Sequence, residues 1–435
     1  MDGKRKGLSA WQLTMLALGT VIGGSFFIGS SIAIHAAGPA VLISYIIGGL
    51  LVYFILYALS DMVQSDFSAG SFQNFASKEF GMGAGFVVGW VYWNGMVLAM
   101  SSEAAAVSIL VRSWIPNISI AFLGSMIIIA ITLVNLLGAD KLSNFESSLA
   151  SVKILAIIFF IIIAILLITG VLPAVPASKY SRLVKEPFMP GRIKGVLGSM
   201  LIVLFSYAGF EVIGLTASDT ENPRETIPKA INYTVISLVG LYILYIIVLL
   251  PLIPTSSISE KISPMVAVLD RHKIRLGGSI INLILITAIL STMLAAMFGL
   301  GRMIRSLADD GYAPKQLKDK TNVPYRGILF SGVSMLLGFG IGLLFPKVYL
   351  FLVSSGGFAI LFTYAAILAT HIHFCKRKGK NAYTSWIALI SIIASALSMP
   401  FIKGQGSGLI AGIIMTVFYT ALWIMMKFKK RPKDN

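Results

Sequence analysis

Residues 19–29 read Gly19-Thr20-Val21-Ile22-Gly23-Gly24-Ser25-Phe26-Phe27-Ile28-Gly29. This glycine cluster lies inside a long apolar run that is otherwise typical of a helix. A helix in lipid must satisfy its own backbone hydrogen bonds, so the cluster predicts a break where the freed backbone groups find other partners. Close packing of helices through small residues is the alternative explanation.

The composition predicts a membrane protein. Of the 435 residues, 57% are hydrophobic and 12% are charged, whereas about a quarter of the residues in soluble domains are charged. One membrane span needs roughly 20 apolar residues, and the chain offers about twelve such runs. We therefore expect an all-α integral membrane protein with spans at 11–34, 39–62, 83–111, 118–137, 149–172, 196–217, 230–252, 278–304, 327–345, 349–371, 383–401 and 408–426.

The charge pattern indicates a lipid bilayer as the partner and argues against nucleic acid. The net charge is +17, but the basic residues lie in the connections between apolar runs rather than in one patch. Most of the 35 Lys and Arg residues fall on the side of both termini if the N-terminus is cytoplasmic, as the positive-inside rule requires. Residues 179–194 are an exception. We expect a multi-pass protein of the cell membrane with both termini in the cytoplasm.

Several chemistries are not indicated. The single cysteine, Cys375, excludes a disulfide within the chain. We expect neither a cofactor nor a metal, because no Cys/His cluster has the spacing of a structural metal site. No reacting group with a matching base is found at a common depth, so we do not expect an enzyme.

The sixth span contains a second candidate break, Phe205-Ser206-Tyr207-Ala208-Gly209-Phe210-Glu211-Val212-Ile213-Gly214. A carboxylate inside an apolar run is costly unless it is paired or hydrated. Two interrupted spans placed five apart predict two inverted five-helix repeats that meet at a central site. We place these repeats at 11–172 and 196–371, which together form a transport core at 11–371. A cytoplasmic tail (1–10), a loop with the last two spans (372–426) and a basic tail (427–435) complete the chain.

Broken helices suit a zwitterionic ligand. The free amide N–H groups at the start of a half-helix attract an anion such as a carboxylate, and the freed carbonyls attract an ammonium group or a cation. An amino acid presents both charges close together. It fits such a site without a charged side chain for each end.

At these residues the sequence resembles the amino acid, polyamine and organocation transporter superfamily, and in particular its bacterial amino acid permeases. The glycine cluster and residues 205–211 are similar to the broken helices of that family. Two further stretches are similar to family signatures: Asp219-Thr220-Glu221-Asn222-Pro223-Arg224-Glu225-Thr226-Ile227-Pro228-Lys229-Ala230, and Gly301-Arg302-Met303 with Leu307-Ala308-Asp309-Asp310-Gly311-Tyr312-Ala313-Pro314. The resemblance implies a leucine-transporter-like core, with substrate bound between spans 1, 3, 6, 8 and 10.

The resemblance also implies the site residues. The turn that binds the substrate carboxylate would comprise Val21, Ile22, Gly23, Gly24 and Ser25. The facing turn would comprise Phe205, Ser206, Tyr207 and Gly209, with Phe205 as a gate or, alternatively, as an ordinary packing residue. We expect the remaining space to be lined by apolar side chains, namely Phe26, Met96, Met100, Ile202, Phe205 and Phe298. Such a pocket favours neutral, mainly apolar L-amino acids.

Lys153 precedes an unbroken apolar stretch and stands seven residues after Glu146. This spacing resembles that of permeases in which a lysine of the fifth helix replaces a bound sodium ion. The resemblance implies that Lys153 reaches the carbonyls of the first span and hydroxyls of the eighth, with Ser291 and Thr292 as candidates. A desolvated lysine could carry a proton near neutral pH. A fixed structural charge and snorkelling to the interface are the alternatives.

Two acids remain, Glu103 in the third span and Glu211 in the sixth. Each is either a proton relay or a hydrogen-bonded structural carboxylate. The predicted function is proton-coupled uptake of neutral apolar L-amino acids by alternating access. A sodium-independent exchanger or uniporter, a polyamine or cationic amino acid transporter and a membrane amino acid sensor are the alternatives.

Overall fold

The computed structural model of the chain describes residues 7–65, 71–172, 186–215, 220, 222–259, 262–319, 321 and 323–429, with the backbone alone at 139–150, 214–215, 275–276 and 429. Several sequence features therefore lie outside the described residues. They include the side chain of Glu146, two residues of the signature that begins at Asp219, and the ends of both predicted tails.

Helices make up nearly all of the described chain. They are α1 (Ala10–Val21), α2 (Gly24–Phe27), α3 (Gly29–Ala37), α4 (Val41–Ser65), α5 (Phe72–Phe80), α6 (Met82–Val111), α7 (Ile120–Asn135), α8 (Ala139–Thr169), α9 (Arg192–Tyr207), α10 (Val212–Leu215), α11 (Pro223–Leu249), α12 (Pro264–Arg271), α13 (Arg275–Asp309), α14 (Tyr325–Gly342), α15 (Val348–Arg377), α16 (Tyr383–Ser398) and α17 (Gly406–Lys429). Within these residues, nine helical segments are long and apolar enough to cross a membrane. The all-helical membrane fold is therefore confirmed.

Each of the twelve predicted spans overlaps a helix or a broken pair of helices, although nine segments of the described residues meet the length and hydropathy of a span. Several helix ends also differ from the predicted ones. Helix α8 begins at Ala139 rather than near 149, and α11 begins at Pro223 rather than near 230. Hydropathy reports the part of a helix that suits lipid, whereas helix ends follow local signals. Proline in the first turn, as at Pro223, is one such signal because its missing N–H has no intrahelical acceptor to lose.

Helices α6 and α15 lie at the centre of the molecule. Of their most apolar 18-residue windows, 72% and 78% of the residues are buried, against 11% for α17. The two central helices approach closely at Gly95 and Gly356, where a Cβ on Gly356 would lie 3.0 Å from the Gly95 carbonyl oxygen. Small residues allow such close packing in membranes. The two central helices therefore pack almost backbone to backbone at this point.

Candidate functional site

The first predicted break is present. Helix α1 ends at Val21, Ile22 and Gly23 are extended, and α2 begins at Gly24. Ile28 between α2 and α3 keeps a helical conformation, so the two short helices continue one another. The break leaves carbonyl groups at the end of α1 and amide groups at the start of α2 in need of partners.

Lys153 of α8 supplies the partner for the carbonyl end. Its Nζ donates to the carbonyl oxygen of Gly19 and to Oγ1 of Thr292, at 2.7 Å in each case. Thr292 Oγ1 lies 3.1 Å from the Ile22 carbonyl oxygen, to which it can donate. The lysine is only 1% exposed. Lys153 thus has the contacts that the resemblance implied. Its burial is inconsistent with the alternative in which its side chain extends to the membrane interface. Ser291 is buried beside this network, but the bonded hydroxyl belongs to Thr292.

Glu103 of α6 supplies the partner for the amide end. Its Oε2 accepts from the Gly24 amide at 2.7 Å, and its Oε1 accepts from the Ser25 amide at 3.2 Å. A carboxylate suits this position because the start of a helix carries partial positive charge. The amides predicted to bind a substrate carboxylate are therefore occupied by a side chain of the protein itself. Sequence reasoning named Glu103 but not this contact.

The second predicted break lies between α9 and α10. Ala208 is extended and Gly209 has φ of +112°. A Cβ at Gly209 would lie 3.0 Å from the Thr20 carbonyl oxygen, so both the backbone angle and the available space require glycine there. Thr20 Oγ1 donates to the Gly209 carbonyl at 3.2 Å. This hydrogen bond joins the two breaks.

Glu211 is fully buried beside the second break. Its Oε2 accepts from the Gly209 amide at 2.7 Å, and its Oε1 accepts from the Tyr364 hydroxyl of α15 at 2.5 Å. Of the two readings open for this acid, these contacts favour the hydrogen-bonded structural carboxylate. It compensates a backbone amide that the break releases.

A cavity of about 460 Å³ adjoins both breaks. Val21, Ser25, Glu103 and Gly209 line it beside the breaks, and its apolar wall includes Met96, Ala99, Met100, Phe205 and Ile360. From there it extends along α13 to Arg302, Arg305 and Asp309. The basic residues at its mouth were not predicted, although Arg302 belongs to one of the signatures quoted from the sequence.

Several predicted pocket residues lie elsewhere. Ser206 and Tyr207 are fully buried behind the cavity, and the Tyr207 hydroxyl donates to the Tyr45 carbonyl oxygen at 3.1 Å. Phe26 stacks on Tyr242 with ring centroids 3.8 Å apart. Ile202 and Phe298 likewise lie outside the lining. In this structure these five residues therefore do not line the cavity. Met96, Met100 and Phe205 do line it.

The chain matches known proteins over nearly its whole length. The family of amino acid permeases matches residues 12–434. The gamma-aminobutyric acid permease of Escherichia coli (strain K12) is 32% identical over 99% of this chain and 97% of its own length. The amino-acid permease AapA of Bacillus subtilis is 31% identical over 87% of this chain and 83% of its own. The aromatic amino acid transport protein AroP of Escherichia coli is 29% identical over 98% and 96%.

The lysine network generates a stability prediction. Thr292→Val should lower the free energy of unfolding by about 1–3 kcal/mol, because the Lys153 ammonium loses an acceptor and the Ile22 carbonyl loses a donor inside the protein. Ser291→Ala is the matched control and should change stability by much less. Thermal unfolding of both variants in detergent measures the difference. Equal melting temperatures for both variants and the parent protein would contradict the network.

Proposed function

Since this chain belongs to the amino acid permease family, we propose that it takes up neutral, mainly apolar L-amino acids together with protons. In this proposal the ten helices or helix pairs within 11–371 form two inverted repeats around the breaks, and both termini lie in the cytoplasm. The substrate reaches the cavity from alternate sides of the cell membrane. The single observation that carries the proposal is the pair of opposite charges placed at the two ends of the first break.

The first break has the two kinds of backbone group that a zwitterion needs, carbonyls for its ammonium group and amides for its carboxylate. Lys153 satisfies its carbonyl end and Glu103 its amide end. A charged group of the substrate can replace a charged side chain at these backbone groups without large movement, because the same backbone atoms would bind either one. An α-amino acid carries one carboxylate and one ammonium group, and therefore matches both ends of the break.

Glu103 must give way when the substrate carboxylate binds. Two carboxylates cannot accept from the Gly24 and Ser25 amides at once, and they repel one another in a site sheltered from water. We propose that Glu103 occupies the amides in the empty site and leaves them, or becomes neutral, as substrate enters. The acid then acts as an internal competitor of the substrate carboxylate.

Lys153 is the proposed proton carrier. Its Nζ is buried and donates to the Gly19 carbonyl oxygen and to the Thr292 hydroxyl. If Lys153 loses its proton, the carbonyl groups at the end of α1 lose the positive charge that they now bind. The protonation state of Lys153 and the conformation of the first break therefore depend on one another. A lysine at this place also takes the position of a cation, which supports transport without sodium. A fixed charge at Lys153 and obligatory exchange remain the alternative mechanism.

The cavity wall supports an apolar substrate side chain. Met96, Met100, Phe205 and Ile360 can contact aliphatic groups of several sizes, and methionine adapts readily to different shapes. One methylene in such a pocket is worth about 1–3 kcal/mol, so discrimination among aliphatic substrates should be modest. The Escherichia coli relative, which is named for gamma-aminobutyric acid, favours a second candidate, a substrate whose charges are further apart.

The first test of this proposal uses Lys153. Lys153→Ala should abolish the acceleration of uptake by an inward proton gradient, and Lys153→Arg should not restore it because arginine stays protonated. Uptake of labelled amino acids into proteoliposomes, with and without the gradient, measures the effect. Replacing sodium by choline should leave the parent protein unaffected. Full gradient-driven uptake by the alanine variant would exclude the proton-carrier role.

The second test concerns the competition at the amides. Glu103→Gln should bind amino acid several-fold more tightly at fixed pH, because a neutral amide holds backbone N–H groups about half as strongly as a carboxylate and does not repel the substrate. Equilibrium binding to the purified protein measures this. Many-fold weaker binding would instead place the substrate ammonium on Glu103. Unchanged binding would reduce Glu103 to a structural cap.

The third test identifies the substrate class. Alanine, valine or leucine should inhibit uptake of a labelled substrate more strongly than lysine, arginine, glutamate or putrescine, because the wall is apolar. The panel should include phenylalanine and gamma-aminobutyric acid, as the relatives suggest. If lysine or putrescine competes best, Glu103 serves a substrate cation and the pocket assignment is wrong.

A further inference from the structure

A second polar cluster lies away from the cavity, between α4 and α15. Asp61 of α4 and His371 and Cys375 of α15 each offer one metal-ligand atom, and these atoms lie within 4.8 Å of one another. His371 and Cys375 are 2% and 1% exposed. They stand one helical turn apart and therefore point to the same side of α15. Sequence spacing had indicated no metal site, because the third residue comes from a distant helix.

The ligand atoms of the three side chains lie close together. His371 Nε2 lies 3.3 Å from Asp61 Oδ2 and 3.4 Å from Cys375 Sγ. His371 Nδ1 lies 2.8 Å from the Ser385 hydroxyl. If Nδ1 carries the proton and donates it to Ser385, Nε2 presents its lone pair toward the carboxylate. Cys375 Sγ also lies 3.9 Å from His371 Nδ1, so the sulfur stands beside the imidazole ring. A histidine whose other nitrogen is held in this way is the usual arrangement of a metal ligand.

The two separations from His371 Nε2 suit a tetrahedral ion, and the third pair of ligand atoms, those of Asp61 and Cys375, lies within 4.8 Å. Zinc lies about 2.0–2.3 Å from oxygen, nitrogen and sulfur ligands, which places neighbouring ligand atoms roughly 3.3–3.8 Å apart. Both separations from His371 Nε2 fall in this range. A set of one sulfur, one imidazole and one carboxylate favours zinc and similar transition metals over magnesium or calcium, which prefer oxygen ligands alone.

We propose that Asp61, His371 and Cys375 form a binding site for a divalent transition metal of the zinc class. The side chain of Asp61 is 24% exposed, so water can reach the fourth position. Lys380 Nζ lies 3.0 Å from Asp61 Oδ1 and half of its side chain is exposed. Its ammonium group balances the carboxylate in the empty site and competes with the ion. Metal binding would join α4 to α15 and hold these two helices at their present separation.

Cobalt offers a direct test, because Cys375 is the single cysteine of the chain. The full-length protein is purified in detergent through a tag without histidine and titrated with Co²⁺. We expect a near-ultraviolet thiolate-to-cobalt absorption that saturates at one equivalent and disappears when Zn²⁺ is added. Any such band must arise from Cys375.

Variants distinguish a metal-binding cluster from one whose side chains only hydrogen-bond to one another. Cys375→Ser should remove the band, and Asp61→Asn and His371→Asn should weaken binding at least tenfold. Lys380→Ala should bind the metal more tightly than the parent protein, a result that loss of folding cannot produce. His373→Asn is the matched control: this histidine lies on the same helix but contacts Glu79, and its replacement should change nothing. Absence of the band from the parent protein, or equal binding by the Asp61 and His373 variants, would overturn the proposal.

Discussion

The structure depends on the need to satisfy the backbone of a helix that is broken inside the protein. Freed carbonyl and amide groups cost several kcal/mol each when they find no partner in an environment without water. Here the cost is met by two charges of opposite sign: Lys153 reaches the carbonyl end and Glu103 the amide end. The positions of α6, α8 and α13 follow from this requirement, because each supplies a side chain that the break needs.

The second break is stabilised in the same way and is tied to the first. Glu211 accepts from the Gly209 amide, and Thr20 donates to the Gly209 carbonyl across the interface between the breaks. At the two breaks the polar side chains thus hydrogen-bond mainly to backbone groups, whereas apolar side chains form the wall of the cavity. Recognition of a zwitterion can then reside in main-chain atoms, and selection among side chains in the wall.

Helix α15 connects the features on which the proposals rest. The Tyr349 hydroxyl donates to the Gly24 carbonyl oxygen at 3.1 Å, and Tyr364 donates to Glu211. His371 stands seven residues beyond Tyr364, about 10 Å along the helix axis. A bound ion that holds α15 against α4 would therefore act on the same rigid element that contacts both breaks. The proposed metal site and the proposed transport site are separate, but they are joined through one helix.

Local sequence determined the helices and both breaks. These features follow from apolar length and from glycine within it, because the membrane imposes the same hydrogen-bonding demand on every span; the contact of Lys153 with the first break came from the resemblance. Only the tertiary structure decided how each helix is rotated about its own axis. That rotation places Ser206, Tyr207, Phe26, Ile202 and Phe298 outside the lining of the cavity. The contact of Glu103 with the Gly24 and Ser25 amides, and that of Asp61 with His371, depend on helices far apart in the chain. No local pattern encodes such meetings, since they result from the packing of all the helices together.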